Sequence, residues 1–426
     1  MKILCVGDIH LGRRPSRLPP DVLERVDVRE LSPSGAWQRT VDEALRLQVD
    51  AVLLAGDVVE QENDFYEALA DLRGGIEKLT QAGVQVLGVA GNHDVQVLPL
   101  LADALKQEFR LLGRDGRWEA ERIRGRDGTE VRVLGWSFPR DVVTTSPLGQ
   151  DLPAREPGTT IGLLHCDRDA SGSHYAPVSS TELAAAPVDA WLLGHIHKPD
   201  PMSGPRPMGY LGSLTGLDPG EPGAHGPWLL EAGAAEPSIV QIPLAPLRWV
   251  AREVSLDGLE RPEDVHQRIT AALDELHGEI SAAEVRPLAV GCRLRLTGRT
   301  RHRDEITRLL RADDPRERAD GRDGILYFVE AWRLEALPEI DLEELARGKD
   351  PPALLAHKLL ILRDPQSEEH PELVAALQRS LAGTVRERNF SALRADEPDR
   401  QRTIEIAEAA ALRALDLLLA QRGNAG

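Results

Sequence analysis

The chain has 426 residues, with 69 acidic and 51 basic side chains and a formal net charge of −18. That length holds two or three domains with full cores, and the acidic balance excludes a general nucleic-acid coat. The hydrophobic fraction is 42%, and no run approaches the ~20 apolar residues of a membrane span, so no membrane attachment is expected. Lys2 leads straight into a short strand with no cleavage signal, so the first residues read as part of the fold. Cys5, Cys166 and Cys292 are too few and scattered for a disulfide framework. They read as small buried thiols in a reducing cytoplasm, with Cys166, next to His165, as an oxidation-sensitive position.

In chain order, ILCVG predicts a strand ending at Asp8-x-His10. Residues 20 to 36 read as a loop, followed by a helix from about Trp37 to Leu47. AVLLAG then predicts a strand ahead of Asp57. Apolar spacing predicts a second helix around 64 to 82, weakened by Gly74-Gly75. VLGVAG leads to Gly91-Asn92-His93-Asp94, TIGLL to His165, and WLLG to His195-x-His197. The loop after His165 carries His174 and Tyr175, which read as candidate substrate-cleft residues. The Pro- and Gly-dense stretch from 198 to 227 predicts an irregular cleft wall.

Five chemistry-bearing blocks thus fall at five successive strand ends, the rim of an open α/β sheet where ligands bind. Two divalent cations about 3.5 to 4 Å apart need a bridging carboxylate plus donors that leave positions open for water and substrate. Asp57, alone on its strand end, suits the bridge. Asp8, His10 and His197 complete one expected metal, and Asn92, His165 and His195 the other. An amide oxygen among imidazoles points to Mn, with Fe or Mg as alternatives, and away from a closed structural zinc. His93 is left over beside the site and is the expected general acid.

The blocks resemble those of the calcineurin-like metallophosphoesterase superfamily, and DIHLG at 8 to 12 with AGDVVE, AGNHD and GHIHKP is similar to its SbcD-type DNA-repair exonuclease branch. LLHCDRDASGSHYAPVSSTEL at 163 to 183 and GWSFPR at 135 to 140 resemble the YhaO-like bacterial offshoot more closely. The resemblance implies an α/β metallophosphoesterase with a two-layer β core flanked by helices. It also implies metal ligation by Asp8, His10, Asp57, Asn92, His165, His195 and His197, and a catalytic role for His93. Nucleases of this branch carry a histidine three residues after the bridging aspartate. This chain has Glu60 there, which reads as a solvated carboxylate.

The match covers roughly residues 1 to 240, and three segments are expected: the phosphoesterase over 1 to 244, a small α/β capping domain over 245 to 336, and a helical segment over 337 to 426. In the capping segment RWVAREVSL, LAVGCRLRLTG and GILYFVEAWRLE predict strands, and 262 to 278 and 302 to 312 predict helices. Arg293, Arg295, Arg299, Arg301 and Arg303 stand at odd positions with no acid among them. On one strand they would share a face opposite Leu294 and Leu296 and could contact DNA phosphates, unless Thr297-Gly298 breaks the run. Residues 1 to 244 carry 23 basic and 35 acidic side chains, so DNA contact must run through such patches or a partner. Pro351-Pro352 predicts the start of one C-terminal helix, another follows Pro371, and a third runs from about Arg402 to Gln421. The last aligns Ile404, Ala407, Ala411, Leu415 and Leu418 or Leu419, for packing on its own chain or docking an ATPase coiled coil.

Together these features predict a dinuclear-metal DNA nuclease, exonuclease or endonuclease. The resemblance implies an SbcC-like SMC-type ATPase as partner and a homodimer. A phosphodiesterase or phosphatase for small phosphoesters, and a scaffold that binds DNA or the ATPase without cutting, are the alternatives.

Overall fold

The computed structural model describes residues 1–60, 65–233, 236–386 and 398–423. It forms two compact units, Met1–Leu337 and Pro338–Gly426. Position 64, the first of the predicted second helix, lies outside the described residues.

Two sheets make the centre of the first unit. One has the order β11-β10-β1-β2-β3-β4, built from β1 (Lys2–Val6), β2 (Ala51–Leu54), β3 (Gln85–Gly88), β4 (Arg110–Leu111), β10 (Trp228–Glu231) and β11 (Ser238–Gln241). The other runs β5-β6-β7-β8-β9, from β5 (Glu119–Arg124), β6 (Glu130–Trp136), β7 (Thr159–His165), β8 (Ala190–Gly194) and β9 (Met208–Tyr210). Strands β1 to β4 are parallel, as are β6 to β9. Alternation along each strand divides the cores. Ile3, Cys5, Ala51 and Leu53 meet Val131, Val133, Ile161, Leu163 and Leu192 between the sheets. Leu4, Val6, Val52 and Leu54 face outward to α3 (Pro33–Arg46), α4 (Phe65–Gln81) and α5 (Val97–Leu105). Leu134, Trp136, Leu164 and Leu193 cover the far face of the second sheet with Leu183 of α6 (Ser180–Ala185). This is the two-layer β core with flanking helices that the sequence predicts.

Residues 20 to 36 are not a loop. They hold α1 (Pro20–Arg25), α2 (Val28–Leu31) and the first turn of α3. Pro20 and Pro33 start helices where no amide hydrogen is needed, and the side chains of Asp27 and Ser32 cap α2 and α3. Such short helices show no periodicity to read. Their Val22 and Leu31 pack on Leu247, Trp249, Leu326 and Phe328 of a third sheet.

That sheet has the order β12-β13-β15-β14, with β12 (Leu247–Ser255), β13 (Ala289–Thr297), β14 (Ala319–Arg322) and β15 (Ile325–Leu334). Helices α7 (Asp264–Ser281) and α8 (Arg303–Ala312) cross between its parallel strands, as predicted; the short antiparallel β14 is an addition. The five arginines do not form one row. β13 stops at Thr297, and Gly298 turns the chain at φ +85°. Arg293 meets Glu330 at 2.6 Å and Arg295 meets Glu335 at 3.1 Å, acids on the neighbouring β15 and just past its end and thus invisible in the local sequence. Arg299 takes Asp257 through its backbone N–H at 2.7 Å, Arg301 contacts His302, and Arg303 donates to Ala336 O at 3.1 Å from the start of α8.

The second unit is helical: α9 (Leu342–Leu345), α10 (Pro351–Arg363), α11 (His370–Arg386) and α12 (Arg400–Gly423). Leu415 is buried with Ala356 and Leu359 of α10, and Ala411 and Leu412 pack on the same cluster, so part of the α12 stripe covers its own chain. No helix among the described residues is long and apolar enough to cross a membrane. All three cysteines are buried. Cys166 is fully buried, and burial raises its thiol far above its usual range, which disfavours the thiolate and argues against its reading as an oxidation-sensitive position.

Candidate metal centre

The blocks converge at the carboxyl ends of β1, β2, β3, β7 and β8. Asp8, Asp57 and His165 are buried there, and His10 is 1% exposed. Three of these residues take left-handed backbone: His10 at φ 54°, Asp57 at φ 48° and His195 at φ 106°. Each such conformation costs on the order of 1–3 kcal/mol and persists only where the surroundings enforce it. The enforcement is visible. Ile9 and His10 N–H groups donate to Asp57 O at 3.0 Å, His195 N–H to Asp8 Oδ1 at 2.8 Å, and His93 N–H to Asp57 Oδ1 at 3.0 Å. The loops also approach too closely for a side chain at Gly91, where a Cβ would stand 2.1 Å from Asp57 Oδ1.

Asp94 clamps the second and third strand ends. Its carboxylate accepts Val58 N–H and Gly91 N–H, both at 2.7 Å. Burial, then the charge of Asp57, pushes the Asp94 carboxyl up to about 7.

Three donor groups meet here among the described residues, one of them His10, Glu60 and His93. Asp8, His10 and His197 offer ligand atoms within 4.8 Å of one another, and so do Asp57, His165 and His195. Asp57 Oδ2 lies 3.3 Å from His165 Nε2 and 3.9 Å from His10 Nε2, between those two clusters. Asn92 Oδ1 is 3.2 Å from His165 Nε2.

The hydrogen bonding leaves ring nitrogens and oxygens facing one another, as a cation site would. His10 Nδ1 donates to Glu60 Oε2 at 3.2 Å and His197 Nδ1 to Glu221 Oε1 at 2.7 Å. With those protons on Nδ1, the two Nε2 atoms face each other at 3.0 Å, a contact that either a proton on one ring or a cation between them satisfies. His165 Nδ1 donates to Ala55 O at 3.1 Å, and its Nε2 faces Asn92 Oδ1 at 3.2 Å and Asp57 Oδ2 at 3.3 Å, where it donates when protonated and offers a lone pair to a cation when neutral. Asp8 Oδ2 and His195 Nδ1 are buried without a hydrogen-bond partner. The donor types and these orphaned atoms fit divalent metal ions.

The charges of the site act strongly on one another. Burial works against charge on Asp57, but His165 and then His10 outweigh it and hold the carboxyl well below its usual range. Burial also opposes charge on His165, yet Asp57 raises that imidazole to about 9. His195 falls to about 4 through burial and then the charge of His165, which keeps it a neutral donor.

Glu60 is not solvated. It is buried at 7% exposure, and a single parallel bridge between Leu11 and Val59 brings it alongside His10. One oxygen accepts from His10, the other from His93 Nδ1 at 2.9 Å. These bonds, His10 first and His93 second, lower the Glu60 carboxyl to about 2. The Glu60 bond is also the main reason His93 is raised. His93 itself is 43% exposed and faces the rim.

Tyr175 sits with its ring centroid 4.9 Å from that of His195. Its backbone is pinned between Asp167, just past β7, and Val143, with Asp167 N–H donating to Tyr175 O at 2.8 Å and Ala176 N–H to Val143 O at 2.7 Å. His174 is exposed on the same loop and makes no ring contact with the site among the described residues. Sequence reasoning missed the partner of His197. Glu221 lies 24 residues downstream in a Pro- and Gly-rich loop, and only its charge among small residues marked it.

A five-ended rim with histidine–carboxylate clusters defines a metallophosphoesterase-type centre, and comparison with known families agrees. The calcineurin-like phosphoesterase family model matches residues 1–199. The model of the middle domain of metallophosphoesterase YhaO matches residues 249–336. The chain therefore has a calcineurin-like metallophosphoesterase domain followed by a YhaO-type middle domain.

It is 25% identical over 223 residues to the uncharacterized metallophosphoesterase YhaO of Bacillus subtilis (strain 168), covering 49% of this chain and 51% of that protein. It is 29% identical over 232 residues to the DNA double-strand break repair protein Mre11 of Aeropyrum pernix, covering 51% and 54%. With Mre11 of Methanosarcina mazei it shares 26% identity over 285 residues, covering 65% and 43%. The chain thus spans about half the length of the curated relatives it matches. The last of these matches reaches past the phosphoesterase domain.

Proposed function

We propose that the chain is a two-metal phosphodiesterase that cuts DNA strands, in concert with an SbcC-like ATPase. The observation that carries this reading is His93, half exposed beside the metal centre with Glu60 behind it. A nucleotide leaving group is a poor one and needs a proton, and His93 is placed to give it.

Asp8, His10 and His197 would hold one divalent cation, and Asn92, His165 and His195 the other, with Asp57 shared. Bound there, the pair supplies Lewis acidity that activates water and offsets charge on the phosphoryl oxygens, and a mixed nitrogen and oxygen donor set favours Mn. Glu60 accepts a hydrogen bond from His93 Nδ1–H, which favours the imidazolium and leaves Nε2–H to face the departing oxygen. Tyr175 offers an exposed ring beside His195 on which a base can stack. DNA as substrate is supported by similarity to proteins named for DNA double-strand break repair. In the C-terminal unit, Leu354 and Leu417 are 63% and 67% exposed and would meet the ATPase.

A Mn-supplemented assay comparing single-stranded DNA, blunt duplex and a bis-nitrophenyl phosphodiester tests the reading. Cleavage of DNA that is lost in Asp57→Ala is the expected result. Turnover of the small diester alone would replace the nuclease by a small-substrate phosphodiesterase.

A further inference from the structure

The segment 211–226 closes one side of the metal centre and is fixed from two directions. On its inner side Leu214 N–H donates to Asp8 O at 2.9 Å and Ser213 N–H to His197 O at 2.8 Å. On its outer side β12 clamps it: Trp249 Nε1–H donates to Gly216 O at 3.1 Å, and Gly223 N–H donates to Trp249 O at 2.9 Å. A Cβ at Gly216 would stand 2.7 Å from the Trp249 ring, so the loop lies flat on the indole. Trp249 belongs to the sheet of the middle domain, and 1% of it is exposed.

Glu221 sits between these clamps. Its Oε1 accepts from His197 Nδ1 at 2.7 Å, and its Oε2 accepts from Leu217 N–H at 2.9 Å and Ser213 Oγ–H at 3.2 Å. The buried ring of His225 lies beneath, 3.1 Å from Glu221 O and 3.0 Å from Ser213 O. The carboxylate therefore has fixed partners on both oxygens and cannot swing away from His197.

We infer that Glu221 is the positioning residue that orients His197 toward the cation, and that Trp249 of the middle domain holds Glu221 in place. An imidazole that gives its Nδ1 proton to a carboxylate is locked in the tautomer and ring orientation that present Nε2, and becomes a better donor. The middle domain thereby sets the geometry of one of the two cation pockets. This inference rests on the proposed assignment of His197 as a metal ligand.

Calorimetric titration of the full-length protein with Mn²⁺ separates the two readings. His197→Ala should weaken one of two sites. Glu221→Gln keeps the side chain's size but turns one acceptor into a donor. It should weaken that same site by roughly 10- to 100-fold and leave the other nearly unchanged. Trp249→Phe keeps the buried ring, loses the indole N–H, and should shift the same site in the same direction by a smaller factor. Proton–nitrogen correlation spectra of metal-free protein labelled at histidine give a second readout: the His197 proton resides on Nδ1 in the wild type and loses that preference in Glu221→Gln.

If His197→Ala weakens one site while Glu221→Gln leaves both affinities and the tautomer unchanged, the positioning role is overturned. Equal weakening of both sites by Glu221→Gln points to a general structural role and overturns it as well. Unchanged affinity in Trp249→Phe removes the middle domain from the scheme. If His197→Ala leaves both sites intact, the ligand assignment falls, and the inference with it.

Discussion

Glu60 Oε1 accepts a hydrogen bond from His93 Nδ1 at 2.9 Å, while its other oxygen accepts one from His10 Nδ1 at 3.2 Å. One buried carboxylate thus joins the proposed proton donor to a residue of the metal centre.

Because Glu60 raises the His93 pKa, it extends the range in which His93 is charged and able to donate. A general acid loses activity as pH rises through its pKa. Glu60→Gln should therefore move the alkaline limb of the pH–rate profile to lower pH. His93→Asn should reduce turnover by roughly 100- to 10,000-fold with a poor leaving group, and by less with a nitrophenyl ester whose departure needs no proton. Equal losses for both substrates would remove His93 from the acid role.

Asp57 Oδ2 stands between two of the donor clusters, 3.3 Å from His165 and 3.9 Å from His10. Asp57→Ala should abolish hydrolysis and lower occupancy of both metals, whereas His10→Ala should empty mainly one. Anomalous scattering from crystals of each variant grown with Mn²⁺ measures this directly. Two full sites in Asp57→Ala would refute the shared carboxylate.

Adjacent glycines in α4 should behave in opposite ways. A Cβ at Gly75 would lie 2.2 Å from Trp37 Nε1, whereas nothing stands within 4 Å of one at Gly74. Gly75→Ala should cost about 1–3 kcal/mol through overpacking against the buried indole. Gly74→Ala should stabilise by about 0.4–1 kcal/mol, because it restricts the unfolded chain and fits the helix. Chemical denaturation of both variants provides the comparison.

Arg293 and Arg295 already face Glu330 and Glu335 across the sheet. Guanidiniums paired in this way displace few counterions from DNA. Replacing both by Ala should leave the salt dependence of DNA binding unchanged. A flatter slope of log affinity against log salt would show that they contact phosphates after all.

The sequence by itself determined the strand ends and the chemistry they carry. Each block follows an apolar β-forming run closely enough that local rules place Asp8, Asp57, Asn92, His165 and His195 on one rim, and parallel strands of one sandwich must bring that rim together. The helix–strand order of the middle domain was legible for the same reason: periodicity is a local property. Tertiary structure decided the partnerships. Glu60 looked solvated until the Leu11–Val59 bridge carried it under His10 and His93. Glu221 reaches His197 from 24 residues downstream, in a loop whose Gly216 accepts a hydrogen bond from Trp249 of another domain. The arginine run looked free of acids because its acids lie 37 and 40 residues away, on β15 and just past its end. Burial and pairing depend on which distant segments meet in space, and periodicity within a short window carries no record of that meeting.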